Sequence, residues 1–284
     1  MAMPGIYLTA ILTTALALAI FGTLIHTLPL PAKERLLWLA AGVVLPLQPL
    51  VFYFVRVPLD HGLVTLLGST SATYRWLTTF YAPLTEEPAK LVPLLIPVIY
   101  RDISATNFVR FALAIGVGFA IGEMWFIAER AAQAPDLGAL PFYQFGGYVV
   151  ERLMVCVFHT AFVSVTLWRL RRRMAWGLAG AMALHWLGNF PIFLMNRNAG
   201  GLGHDFWAVA YQFWVWAYLF AAVALLFYFG LRRIAPPKLF YSRRVCPECG
   251  SGYDAPLFAL NFGRTRYERC PHCRRWHWTQ ARKV

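Results

Sequence analysis

Seven stretches of about twenty residues, at 5–28, 36–55, 77–100, 108–128, 146–168, 174–195 and 208–230, are almost free of charge and rich in large apolar side chains. Each has the length an α-helix needs to cross about 30 Å of hydrocarbon. The whole chain agrees, with 59% hydrophobic residues, only 14% charged residues and a mean hydropathy of +0.52. Such a composition excludes an ordinary soluble globular domain. The expected fold is therefore an all-α polytopic membrane protein with about seven transmembrane helices. No Lys or Arg precedes the first stretch, which is also too long for the apolar part of a cleaved signal, so it is expected to stay as a helix.

Basic residues are unevenly shared between the two sides defined by alternating loops. One side receives Lys33, Arg35, Arg101, Arg110, the run Arg169, Arg171, Arg172 and Arg173, and the tail from Arg232. The other receives Arg56, Arg75, Arg130, Arg152 and Arg197. Cytoplasmic loops carry the Lys/Arg excess, so the N-terminus is expected outside and the C-terminus in the cytoplasm of an inner or plasma membrane. Most of the net charge of +13 falls in the tail. Anionic lipid satisfies juxtamembrane basic residues, so this excess calls for no nucleic-acid partner.

Four of the five cysteines form two knuckles, Cys246-Pro-Glu-Cys249 and Cys270-Pro-His-Cys273, separated by twenty residues. Each CxxC turn aims two thiolates at one tetrahedral ion, and this spacing is that of a zinc ribbon. A small cytoplasmic zinc-ribbon domain is expected over 246–284, joined by a basic, proline-containing linker at 235–245 to a helical core at 1–234. Disulfides are the competing reading, disfavoured in a reducing compartment. His272 and His277 are alternative ligands, and Trp276 and Trp278 either pack on the ribbon or touch the membrane interface. Four thiolates close a zinc site, so its role is structural, with a protein partner as a further possibility for the ribbon.

The apolar stretches hold a second cluster. EEPAK, at 86–90, places two carboxylates and an ammonium inside a stretch long enough to span, where buried charge is expensive and usually functional. Glu86 and Lys90 are four apart and share a helical face, while Glu87 points about 100° away. Pro83, Pro88, Pro93 and Pro97 punctuate that helix and predict a kink. Glu123 follows Gly118 and Gly122, which stand at close-packing spacing. His159 lies midway along the next stretch, and His185 with Asn189 share a face of the one after it. Counting rise per residue brings Glu86, His159 and His185 to one depth, with Glu123 and Asn189 nearer the outer surface.

Two chemistries fit such a set. A glutamate can act as general base on water that attacks a peptide carbonyl, with His or Asn stabilising the oxyanion. Alternatively, histidines and a glutamate can bind zinc that activates the water, although the chain lacks HExxH. Cys156 and Ser164 sit in no nucleophile motif.

The ordered set EEPAK, GFAIGE, His159 and HWLGN resembles the PrsW family of membrane proteases, itself similar to the glutamate-type CAAX prenyl endopeptidases. The resemblance covers roughly 80–195. It implies that Glu86 and Glu87 match the paired catalytic glutamates, Glu123 the third acidic position, His159 the first histidine, and His185 with Asn189 the HxxxN pair. It also implies cleavage of a membrane-protein substrate within a multi-helix core. Met124 stands where the family often has asparagine, and the ribbon is an addition to the family core. The resulting expectation is an intramembrane endopeptidase in which Lys90 holds the catalytic carboxylate. The alternatives are a non-catalytic membrane scaffold or sensor whose ribbon recruits a partner, and an ion-coupled transporter.

Overall fold

A computed structural model describes residues 4–170, 173–196, 201, 203–234, 243–254, 260–262 and 265–280. The chain divides into two units, Met1–Phe229 and Gly230–Val284.

The first unit is helical. In chain order, α1 is Gly5–Thr27 and α2 is Glu34–Leu67. A short helix, α3, covers Tyr81–Ala89, followed by α4, Phe108–Gln133, and α5, Gly146–Trp168. Two more helices, α6, Met174–Asn196, and α7, His204–Ile234, complete the order. Among the described residues, six of these helices are long and apolar enough to cross a membrane, all except α3.

The expected single helix over 77–100 does not form. That stretch consists of a 3-10 turn at Thr78–Phe80, α3, a second 3-10 turn at Val92–Leu95 and the helix Pro97–Asp102. Its prolines explain the breaks: each lacks an N–H and disfavours helical backbone in the residue before it, and Ile96, before Pro97, is extended at φ −86°, ψ 110°. Polar pairs lay the broken segment antiparallel along α2. Tyr74 Oη donates to Asp60, Arg56 Nη2 to Thr85, and Lys33 Nζ lies 3.6 Å from Asp102. The segment thus retraces the length of α2 in pieces.

The central helix is α4. It is apolar all round and buried from Phe108 to Gly122, with α1, α2 and α5 packed around it. Two glycine contacts set the spacing. A Cβ on Gly122 would stand 1.8 Å from the carbonyl oxygen of Leu45 in α2, and one on Gly116 would stand 2.5 Å from the backbone nitrogen of Thr160 in α5. Only glycine allows backbones that close. Arg110, counted above as a loop charge, is buried and donates to the carbonyls of Ile25, His26 and Leu30, capping the end of α1.

Among the described residues, the second unit contains the end of α7 and five short strands. Arg243–Val245 (β1) pairs antiparallel with Gly252–Asp254 (β2). Leu260–Phe262 (β3), Thr265–Arg269 (β4) and Trp276–Gln280 (β5) form an antiparallel sheet in that order. The expected linker at 235–245 needs correction at its end, because 243–245 already belong to β1; residues 235–242 lie outside the described residues.

Candidate active site and metal centre

Lys90 is the anchor of the helical site, at 0% exposure. Helix α3 ends at Ala89, and the turn that follows carries the Lys90 side chain between α4 and α5. There Nζ donates to Glu87 Oε1 at 2.5 Å and to His159 Nδ1 at 2.7 Å, with the Phe119 ring centroid 4.8 Å away. An ammonium has no acceptor, so His159 Nδ1 accepts and the imidazole carries its proton on Nε2. That nitrogen donates to Glu123 Oε2 at 2.8 Å. Glu123 in turn lies 3.4 Å from Nη1 of Arg152.

The expected face-sharing of Glu86 and Lys90 is therefore not what pairs them. Although the Lys90 N–H still bonds the Glu86 carbonyl, the Lys90 side chain takes Glu87, three residues back. Glu86 takes Arg56 of α2 instead, its Oε1 accepting from Nη2 at 2.7 Å. Both glutamates are buried, at 3% and 2% exposure.

His185 closes the chain of contacts. Helix α6 is tied to the broken segment by Trp186, whose Nε1 donates to Thr79 Oγ1 and whose ring stacks on Phe80. This places His185 Nδ1 2.6 Å from Glu87 Oε1. Its other nitrogen, Nε2, stands 3.9 Å from Glu86 Oε2. A carboxylate accepts only, so Nδ1 is protonated, and in the neutral imidazole Nε2 is an acceptor beside the second Glu86 oxygen. One continuous string results: Arg56, Glu86, His185, Glu87, Lys90, His159, Glu123, Arg152.

Part of this string faces a cavity of about 530 Å³. Glu86, His185, His159 and Glu123 line it, and so does Asn189, one turn beyond His185. Glu87 and Lys90 do not; they lie behind the wall. The two glutamates thus differ in access, a distinction the sequence reading did not draw. The remaining lining is mostly apolar, from Phe52, Phe126, Phe158, Phe162 and Trp214 among others. A volume of this size accommodates an extended peptide segment of a few residues.

Two residues of this string were missed. Arg56 and Arg152 were assigned to loops for the charge count, yet both lie inside helices and neutralise Glu86 and Glu123. A signal did exist for Arg152: it precedes His159 by seven residues, two helical turns, and so shares its face. Arg56 carried no local signal, because its partner is thirty residues away on a separate segment. Cys156 and Ser164 are buried, and Ser164 Oγ is committed to the Thr160 carbonyl.

In the second unit, Cys246, Cys249, Cys270 and Cys273 converge, with their sulfurs all within 4.8 Å of one another. The Cys246–Cys273 separation is 3.6 Å and the Cys249–Cys270 separation 3.8 Å. Four sulfurs at about 2.3 Å from a tetrahedral ion stand about 3.8 Å apart, so the set fits a metal ion, whereas a disulfide needs about 2.05 Å. The two knuckles repeat one geometry. Gly250 N–H donates to the Cys246 carbonyl and Arg274 N–H to the Cys270 carbonyl, each from a residue at positive φ, +71° and +61°. Neither histidine joins the ligand set. His272 is exposed, and His277 is buried with Nδ1 3.9 Å from Cys246 Sγ and Nε2 2.9 Å from Tyr253 Oη. Among the described residues, no other group of His, Cys, Asp or Glu converges in this way; in the helical site both nitrogens of His159 are already engaged.

No protein-family model, curated protein or solved structure matches the chain.

Proposed function

We propose that this chain is an intramembrane endopeptidase of the glutamate type, with Glu86 as general base. The observation that carries the reading is the pairing of Glu86 Oε2 with His185 Nε2, 3.9 Å apart on the wall of the cavity. A water that donates one hydrogen to each acceptor presents its oxygen lone pair to a peptide carbonyl in the cavity. As that oxygen bonds to the carbonyl carbon, Glu86 takes the water proton; it returns the proton to the leaving amine when the tetrahedral intermediate collapses. The Asn189 amide donates to the developing oxyanion. Arg56 orients Glu86 through its other oxygen, and Glu87 fixes the tautomer of His185. Lys90, His159, Glu123 and Arg152 hold that arrangement from behind and beside it.

The substrate is a membrane protein, consistent with the resemblance to PrsW proteases over 80–195. The four-cysteine site holds structural zinc and gives the ribbon a fixed shape. Topology is proposed as N-terminus outside and C-terminus cytoplasmic, with the segment 72–102 returning across the bilayer beside α2. Removing the ion-paired Arg56 and Arg152 from the charge count leaves Arg75, Arg130 and Arg197 on the outer side, which sharpens the asymmetry. Reporter fusions after Arg173 and after Asn198 landing on the same side would overturn this topology.

A second reading is a non-catalytic scaffold or sensor, favoured by the same ion pairs because each ties two segments together. Cleavage of a panel of single-pass membrane proteins by purified protein separates the two. Loss of cleavage in folded Glu86→Gln and His185→Ala, with activity retained after metal chelation, supports proteolysis. Cleavage unchanged in folded Glu86→Gln refutes the assigned base.

A further inference from the structure

The three-stranded sheet of the second unit has two unlike faces. Along β5, His277 and Thr279 are buried and meet Tyr253, Glu268 and Arg244 through hydrogen bonds. Trp276 and Trp278 alternate with them and are 56% and 55% exposed. Tyr267 of β4 lies opposite Trp278, its ring 5.4 Å from Trp276 and 5.2 Å from Trp278. Two large indoles and a phenol thus form one ordered aromatic plate on the outside of a small domain. Both Trp residues pack on the strand beside them through Tyr267 and still leave more than half of their surface open, so packing on the ribbon and contact with a membrane interface are compatible roles.

Exposed arginines border the plate. Arg269 pairs with Trp276 across the strands, its Nε donating to the Arg274 carbonyl; Arg274 and Arg275 precede β5, all three exposed, with Arg275 ion-paired to Glu248. Residues 230–284 carry twelve Lys and Arg against three Asp and Glu. Four thiolates on a divalent ion add two negative charges and leave the unit strongly basic.

We infer that this aromatic face docks on an anionic membrane surface, with the rings at headgroup level and the arginines against lipid phosphates. Indole and phenol rings are apolar bodies with a polar edge, the chemistry enriched at bilayer interfaces. Basic side chains at the same level add attraction to anionic lipid. Covalent reach selects lipid over a free polyanion. Eight residues, 235–242, connect Ile234 at the end of α7 to β1, and eight residues span at most about 28 Å. With α7 crossing the bilayer, the ribbon never leaves its neighbourhood, so even a weak surface affinity acts at high effective concentration. The inference rests on the membrane reading of α7 and is independent of proteolysis.

The test is hydroxyl-radical footprinting of the full-length protein, with Trp276 and Trp278 read by mass spectrometry. The protein is placed in nanodiscs of phosphatidylcholine alone, or with roughly one third phosphatidylglycerol. Oxidation of both residues is expected to slow about threefold or more in the anionic discs and to recover in high salt. Arg269→Gln combined with Arg274→Gln is expected to reduce that protection while metal content stays unchanged. Equal oxidation in the two lipid compositions overturns the inference. So does protection that appears only on adding a single-stranded RNA oligonucleotide, which would assign the face to nucleic acid.

Discussion

Replacing Lys90 with Met tests whether the buried string is held by charge. Methionine keeps an unbranched chain of similar volume, so packing against Phe119 and Phe162 is largely retained and the loss is electrostatic. In the native protein Glu87 Oε1 receives both Lys90 at 2.5 Å and His185 at 2.6 Å. Without the ammonium, a carboxylate at 2% exposure keeps only the imidazole, and His159 Nδ1 loses its donor. Breaking one side of a buried pair costs about 3–5 kcal/mol, because a charge is left without compensation. For a unit of this size that corresponds to a melting temperature lower by roughly 10 °C. The second change, Glu87→Gln, removes the orphaned charge, so the Lys90→Met/Glu87→Gln double variant is expected to regain at least about 2 kcal/mol of the loss. Thermal unfolding of the four cycle members in one detergent measures this coupling. A single variant within about 2 °C of wild type, or a double variant no more stable than Lys90→Met, refutes the charge-based account.

Glu86→Gln is expected to lower cleavage at least about 100-fold, the usual contribution of a general base, while changing substrate binding little; single-turnover kinetics separate the two. Gly116→Ala places a methyl 2.5 Å from the Thr160 backbone and is expected to cost about 1–3 kcal/mol by pushing α5 from α4, read as a lower melting temperature. In the ribbon, Arg274→Gly relieves a side chain held at φ +61° and is expected to add about 1 kcal/mol, whereas Gly250→Ala loses a similar amount; denaturant titration of the metal-loaded chain reads both. Cobalt substitution is expected to give the absorption of a tetrahedral four-thiolate site, abolished by Cys270→Ser and progressively lost as pH falls, because protons compete with the metal for thiolate.

The residues of the helical site were legible because charge and imidazole stand out in apolar sequence, and the four cysteines because their spacing is nearly self-explanatory. Partner choice was not legible. Whether Lys90 meets Glu86 or Glu87 depends on partners distant in sequence, Arg56 drawing Glu86 to α2 and His159 holding Lys90 beside α5. The four prolines were read as a kink, whereas they divide 77–100 into separate short turns and helices. Arg56 was invisible for a different reason: a charge near the end of an apolar stretch looks like a loop residue until its buried partner is known, whereas Arg152 had its seven-residue spacing to His159.

The broken segment also constrains how the protein is made. Inserted by itself, a stretch containing Glu86, Glu87 and Lys90 would bring three ionised groups into hydrocarbon, at about 2.5–3.5 kcal/mol each on the insertion scale. The compensating groups arrive at different times during synthesis. Arg56 has already emerged in α2 when EEPAK leaves the ribosome, whereas His159 and His185 follow about seventy and a hundred residues later. In the proposed topology the segment enters folded against α2 as a hairpin and waits, partly compensated, for α5 and α6. A chaperone or insertase that shields it during that interval acts on a state whose completion depends on two helices translated later.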